Sequence, residues 1–145
     1  MKIVRQLKIT EEQFYNYLEV ELLKDINANT KRNLTRKDLQ SGLKYSKFQA
    51  KSKIPINITI NKYIRGSEYQ STTKLPTDII KITYNTTKKD KGLEIIFDQN
   101  IAGYLVSKHN ILMQWFSEAI YYGRMSDTLS SIQKNILDKQ NDITR

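Results

Sequence analysis

The sequence predicts an α+β fold, a curved antiparallel sheet of about six strands packed on a long C-terminal helix, and three observations carry that expectation. Ile56, Ile58 and Ile60 alternate with Asn57, Thr59 and Asn61, the period-two signature of a half-buried strand. A helix-start signal stands near the beginning of the chain. From Ser107 onward the apolar residues return to a helical period. The 145 residues suit one domain over 1–138, long enough to bury roughly 70% of the surface of the unfolded chain, with 139–145 expected to be a flexible tail.

Each element has its own local reason. In KIVRQLK (2–8), Ile3 and Leu7 suit a short strand. Thr10-Glu11-Glu12-Gln13 reads as a capping box, and Ile9 with Phe14 can close a hydrophobic staple around it. Phe14, Leu18, Leu22 and Ile26 succeed it at spacing four, so a helix over about 11–27 should bury that stripe. The same spacing shows Glu12, Glu19 and Glu21 to water. Thr35-Arg36-Lys37-Asp38 is a second cap signal, and Leu39 and Gly42 limit this second helix to one or two turns.

Pro55 then opens the Ile56–Ile60 strand, and weaker alternation marks 43–50, 68–75, 79–86 and 93–101. Arg65-Gly66-Ser67, Leu75-Pro76-Thr77-Asp78 and Lys88 to Gly92 supply the turns of an antiparallel meander. The C-terminal helix carries Ile111, Leu112, Trp115, Phe116, Ala119, Ile120 and Gly123 on one stripe. Met125, Leu129, Ile132 and Ile136 form a second stripe, rotated by roughly a quarter turn. A bend or break near 123–126 is therefore expected.

In this order, the elements resemble the helix-grip superfamily of START, polyketide-cyclase and birch-pollen-allergen proteins. More narrowly, KITEEQFYNYL, LTRKDLQSGLKYSKF and the aromatic C-terminal helix resemble a Firmicutes family of small domains of unknown function. Thr35, Leu39, Gly42, Tyr45 and Lys47 carry the likeness, and they are structural residues. The resemblance implies a pocket between sheet and C-terminal helix for an apolar or amphipathic small molecule. Tyr84, Phe97, Trp115, Phe116 and Ala119 are the expected walls, residues that equally suit a plain core. The Tyr84 hydroxyl is either a polar fixture of the pocket or bonded to a backbone carbonyl. Such superfamily members have seven strands, one more than is read here.

Catalytic chemistry finds no pattern. Without cysteine there is neither a thiolate nucleophile nor Cys-ligated zinc, and a cytosolic protein is the simplest reading. The only histidine, His109, has no Asp or Glu within seven residues, so a surface or capping role is expected. Glu94 and Asp98 share one face of a strand but stand ~13 Å apart, too far for a glycosidase pair. No phosphate-loop or dinucleotide spacing surrounds the glycines. Neither cofactor nor metal is expected, no membrane span is read, and an enzyme has no residue pattern behind it. Oligomeric state is left open.

The charge offers the alternative. Net charge is +9, and residues 31–53 hold eight Lys or Arg against one Asp. Lys31, Arg32, Arg36, Lys37, Lys47 and Lys51 are the candidate anion-binding surface for weak nucleic-acid or protein contact. Lys outnumbers Arg 18 to 6, as in an AT-rich coding sequence, which makes part of the charge compositional. Only Tyr45 and Phe48 lie within the block, and one must face the core, so a base-stacking platform is not expected.

Overall fold

Strand alternation gives this chain a sheet with two unlike faces. The computed structural model describes residues 1–48, 55–76, 78–103 and 126–139. Strands β1 (Lys2–Leu7), β2 (Lys44–Phe48), β3 (Pro55–Ile64), β4 (Glu68–Lys74), β5 (Asp78–Lys89) and β6 (Gly92–Gly103) form one antiparallel sheet in the order β1-β6-β5-β4-β3-β2. Residues on one parity of each strand are buried: Ile3 and Leu7, Tyr45, Ile56, Ile58 and Ile60, Tyr69 and Ser71, Tyr84 and Thr86, then Leu93, Ile95 and Phe97. These form the concave face. The expected meander and its six strands are present.

Two local features shape the sheet. A bulge between Ile60 and Lys62 shifts the β3–β4 register by one residue, so inward positions are even-numbered up to Ile60 and odd-numbered from Tyr63 on. Such an extra residue bends a strand and re-aims the side chains beyond it. At the β5–β6 turn, Gly92 has φ +149° and a Cβ there would lie 2.1 Å from the Leu7 carbonyl oxygen. Only glycine lets β1 approach this turn so closely.

Helix α1 (Glu11–Thr30) crosses the concave face. Its capping box is formed as expected: the Gln13 amide donates to Thr10 Oγ1 at 3.1 Å and the Thr10 amide to Gln13 Oε1 at 2.9 Å. The helix runs to Thr30 rather than to about residue 27. Asn29 Nδ2 donates to the Asp25 carbonyl and Thr30 Oγ1 to the Ile26 carbonyl, so both polar side chains fold back on the helix and reinforce its last turn. Lys31 then ends it in the left-handed region, φ 57°. A 3-10 turn over Arg36–Asp38 comes next, with the Thr35 amide donating to Asp38 Oδ2.

The expectation that Glu19 faces water is corrected. Its side chain is 6% exposed. Arg65 Nη1 donates to Glu19 Oε1 at 2.8 Å, the Tyr63 hydroxyl donates to Oε2 at 2.7 Å, and Arg36 Nε lies 3.6 Å from Oε1. The buried stripe of α1 is Phe14, Tyr15, Glu19 and Ile26, while Leu18 and Leu22 are only partly covered. A second acid repeats the arrangement, because Asp25 accepts from the Tyr45 hydroxyl at 2.6 Å and from Lys47 Nζ at 3.1 Å. Glu19 and Asp25 thus each meet a tyrosine and a cation two residues apart, Tyr45 and Lys47 within β2, and Tyr63 near the end of β3 with Arg65 just past it.

Residues 126–139 are helical and form α2. Leu129 and Ile136 enter the core, with Ile132 and Leu137 against it. Gln133 Oε1 accepts the Lys8 amide at 2.8 Å, and Asn135 Nδ2 donates to the Tyr17 hydroxyl at 3.2 Å. The second apolar stripe therefore packs at the β1–α1 junction. The earlier part of the expected helix, 107–125, lies outside the described residues, as do 140–145 of the expected tail.

Replacing Glu19 by Gln leaves two guanidinium groups and a phenol without their anion. A fully buried pair broken on one side costs ~3 to 5 kcal/mol. Here Arg65 and Arg36 are 41% and 56% exposed, so solvent screens the loss and about 2 kcal/mol is expected by urea denaturation. A loss below ~0.5 kcal/mol would show that this carboxylate is solvated and that α1 is held by apolar packing alone.

Candidate functional site

Residues opposite one another on neighbouring strands share a face, so register alone assembles a row here. Tyr63 faces Tyr69, Tyr69 faces Tyr84, Tyr84 faces Phe97, and Phe97 faces Ile3. The ring centroids are 6.1, 6.2 and 4.7 Å apart along this row, and Tyr84 and Phe97 stack with only 11° between their planes. From α1, Phe14 meets Tyr84 edge-on at 5.7 Å and Tyr15 meets Tyr63 at 6.2 Å. An aromatic floor spans the middle of the concave face.

Its polar edges are unevenly satisfied. The Tyr63 phenol is taken by Glu19, and the Tyr15 phenol shares a 2.6 Å hydrogen bond with Thr86 Oγ1. Tyr84 is buried at 6% exposure, yet its hydroxyl makes no hydrogen bond among the described residues. Two residues farther along β5 the character changes. Ile58, Thr73, Ile80 and Ile101 form a second row, with Ile82 between the rows, and Thr73, Ile80, Ile82 and Ile101 are half-buried. The floor passes from tightly packed aromatic to partly open aliphatic.

Of the expected cavity residues, Tyr84 and Phe97 are brought together, while Trp115, Phe116 and Ala119 lie outside the described residues. His109 does too. Sequence reasoning missed Tyr69, Phe14 and Tyr15 as ring neighbours of Tyr84 and Tyr63. Tyr69 had a usable signal in the alternation of 68–75, but its pairing needs the register. Among the described residues no cluster of His, Cys, Asp or Glu could hold a metal.

The basic block is divided by the fold. Arg36 is drawn to Glu19 and Lys47 to Asp25. Lys31, Arg32, Lys37 and Lys44 are exposed, and Lys51 and Lys53 lie outside the described residues. Tyr45 turns inward to Asp25 while Phe48 is 62% exposed.

Burial raises the phenol pKa of Tyr15, Tyr45, Tyr63, Tyr69 and Tyr84 above the ordinary tyrosine value. For Tyr45 and Tyr63, the hydrogen bonds they donate to Asp25 and Glu19 add to the effect. The stability linked to these protons is complete below the unfolded phenol pKa of ~10 and is lost as pH climbs through the raised folded values. In an ultraviolet titration, at least these five of the nine tyrosines should ionise later than a free phenol, and together with loss of the native circular dichroism. Nine phenols titrating alike near pH ~10 in a folded protein would contradict the burial described here.

Solved structures share the architecture. Protein MLL2253 from Mesorhizobium loti superposes with a TM-score of 0.64 at 12% identity, over 96% of each chain. Ara h 8.0201 does so with a TM-score of 0.62 at 8% identity, over 95% of this chain and 97% of its own. The di-domain ARO/CYC StfQ of the steffimycin biosynthetic pathway matches with a TM-score of 0.57 at 9% identity, over 94% of this chain and 48% of its own. At such identities the likeness speaks for the fold, and the fold is helix-grip. No curated protein matches by sequence. Residues 1–118 match the model of a family described as a domain of unknown function, DUF3284, and the chain belongs to that family.

Proposed function

We propose that this domain is a cytosolic binding module that holds an apolar or amphipathic small molecule between the concave face and the C-terminal helix. The observation that carries the reading is Tyr84: a buried phenol, stacked on Phe97, whose hydroxyl is left without a hydrogen bond among the described residues. The hydroxyl is not sealed from its surroundings, so a ligand atom can reach it and complete its hydrogen bonding. Beside it, Thr73, Ile80, Ile82 and Ile101 offer half-buried surface for an apolar body. Trp115, Phe116 and Ala119 are assigned to the helix side of the same space, with Ala119 leaving room among bulkier neighbours. Sites with a few placed polar groups in an apolar lining are typical of small-molecule pockets.

The helix-grip likeness to an ARO/CYC protein of a biosynthetic pathway agrees with a small organic ligand. No catalytic group is assigned, and no described helix is long and apolar enough to cross a membrane. Nucleic acid is not the proposed partner, because the basic block is split and no aromatic pair faces outward within it. Fluorescence anisotropy of a labelled duplex or single strand should stay flat at micromolar protein in ~0.15 M salt. A saturable rise would replace the small-molecule reading with a nucleic-acid one.

The direct test is native mass spectrometry of protein from its own host, followed by a melting-temperature screen with fatty acids and aromatic metabolites. A ligand that binds only the folded state raises the melting temperature. With a hit that has a polar head, Tyr84→Phe should weaken binding by about threefold to tenfold, the worth of one hydrogen bond, while the free protein melts within a few degrees of the parent. Binding unchanged by Tyr84→Phe and by Trp115→Ala would move the ligand out of this space.

A further inference from the structure

The β2 edge of the sheet, where the end of α1 meets the outward side chains of the strands, carries a second feature. Beside the β2 edge is an open groove of about 620 Å³ lined by Asn29, Thr30, Arg32, Lys44, Tyr45, Ser46, Asn57, Ile58, Thr59 and Lys74. Lys44, Ser46, Asn57, Thr59 and Lys74 stand on the outward parity of β2, β3 and β4, in two adjacent rows: Lys44 opposite Thr59, and Ser46 opposite Asn57 opposite Lys74. Arg32 comes from the segment that leaves α1. No acidic side chain is among the lining residues.

Arg36, Lys47, Lys62 and Arg65 each face a carboxylate. Exposed lysines such as Lys2, Lys31 and Lys81 stand singly, and the groove differs in gathering three unmatched cations around one hollow. Arg32, Lys44 and Lys74 have no ion pair among the described residues, and all three are exposed. Their nearest acid on α1, Asp25, is already held on the inner side by Tyr45 and Lys47. The carbonyl end of α1 carries partial negative charge equivalent to about half an elementary charge, which the three full charges of Arg32, Lys44 and Lys74 outweigh. Three uncompensated cations are left around a polar hollow. The Ser46 hydroxyl donates to Asn57 Oδ1 at 2.6 Å, which leaves the Asn57 amide NH2 as a further donor in the same row.

We propose that this groove binds a small polyphosphate, a free phosphorylated metabolite with at least two phosphate groups. Lys44 and Lys74 sit two strands and two residues apart, about 12 Å between Cα atoms by strand spacing, so their long side chains can reach neighbouring phosphates of one molecule from either side. The volume is that of a small-molecule site, which favours a compact anion over a duplex. The Tyr45 ring is turned to the inner face and offers no outward stacking surface, which a single strand would need. Lysine and arginine with serine, threonine and asparagine donors are the chemistry of phosphate recognition.

The probe is inorganic tripolyphosphate, titrated into the isotope-labelled protein at low salt and followed by amide chemical shifts. Saturable shifts confined to 29–32, 44–46, 57–59 and 74 are expected. Lys44→Gln with Lys74→Gln should weaken binding by about tenfold or more, since each lost charge-assisted contact approaches that factor. The charge-matched control Lys88→Gln with Lys89→Gln, at exposed positions near the β5–β6 turn, should leave it intact. Both variants should melt as the parent does. Shifts spread over all surface lysines, no saturation at millimolar probe, or equal weakening in the control would overturn the proposal. So would a single-stranded oligonucleotide, or vesicles containing phosphatidic acid, competing for the same three cations more tightly than tripolyphosphate.

Discussion

The arrangement depends on a carboxylate that has been taken out of water. Glu19 sits on the buried side of α1 with 6% of its side chain exposed, and an unpaired anion there would be prohibitively costly. The helix can lie only where Tyr63 and Arg65 reach it. Those two residues reach it only because the bulge after Ile60 changes the parity of β3. Without that extra residue both would point to the outer face, since a one-residue slip exchanges the faces of a strand. The same parity change puts Tyr63 at the head of the aromatic row. Helix position and aromatic floor are thus coupled through one irregularity in one strand.

One anchor would leave α1 free to pivot, and the chain supplies two. Glu19 and Asp25 are six residues apart, about 9 Å along the helix axis, and each is met by a tyrosine on a strand and a cation two residues after it. The phenol satisfies one oxygen at small entropic cost, being rigid beyond two torsions, and the cation neutralises the charge. At the Asp25 end Lys47 is 30% exposed and Asp25 32%, so that pair is wetter and contributes less. The Glu19 end carries the greater energetic weight, and the Asp25 end chiefly sets direction.

The strands, both cap signals and the inward facing of Tyr84 and Phe97 were legible in the sequence because alternation and capping are local. The illegible features depended on partners far along the chain. Glu19 reads as a surface acid within its own helix, and its main cation is 46 residues away. Tyr63 reads as outward by the parity of Ile56, Ile58 and Ile60, and nothing in Asn61 announces a bulge. The basic block looks continuous along the chain, but space separates Arg36 and Lys47, which turn to acids, from Lys44, which turns to solvent. For the site, parity gave two wall residues, while the row joining Tyr63, Tyr69, Tyr84 and Phe97 needed the strand register.

The use of charge also constrains what the concave space can accept on the proposed reading. Its nearby cations, Arg65, Arg36 and Lys47, are already matched by Glu19 and Asp25. A ligand carboxylate placed beside Tyr84 would find a phenol but no unmatched positive charge among the described residues around it, and a buried anion needs more than one neutral donor. A carbonyl, hydroxyl or phenol oxygen asks for no more than the Tyr84 hydroxyl can give. The aliphatic row of Ile80, Ile82 and Ile101 then suits the body of such a molecule, since Tyr84 and Phe97 are buried and stacked on each other. On the proposed reading, a neutral molecule with an apolar body and one polar edge therefore matches this floor better than a fatty acid does.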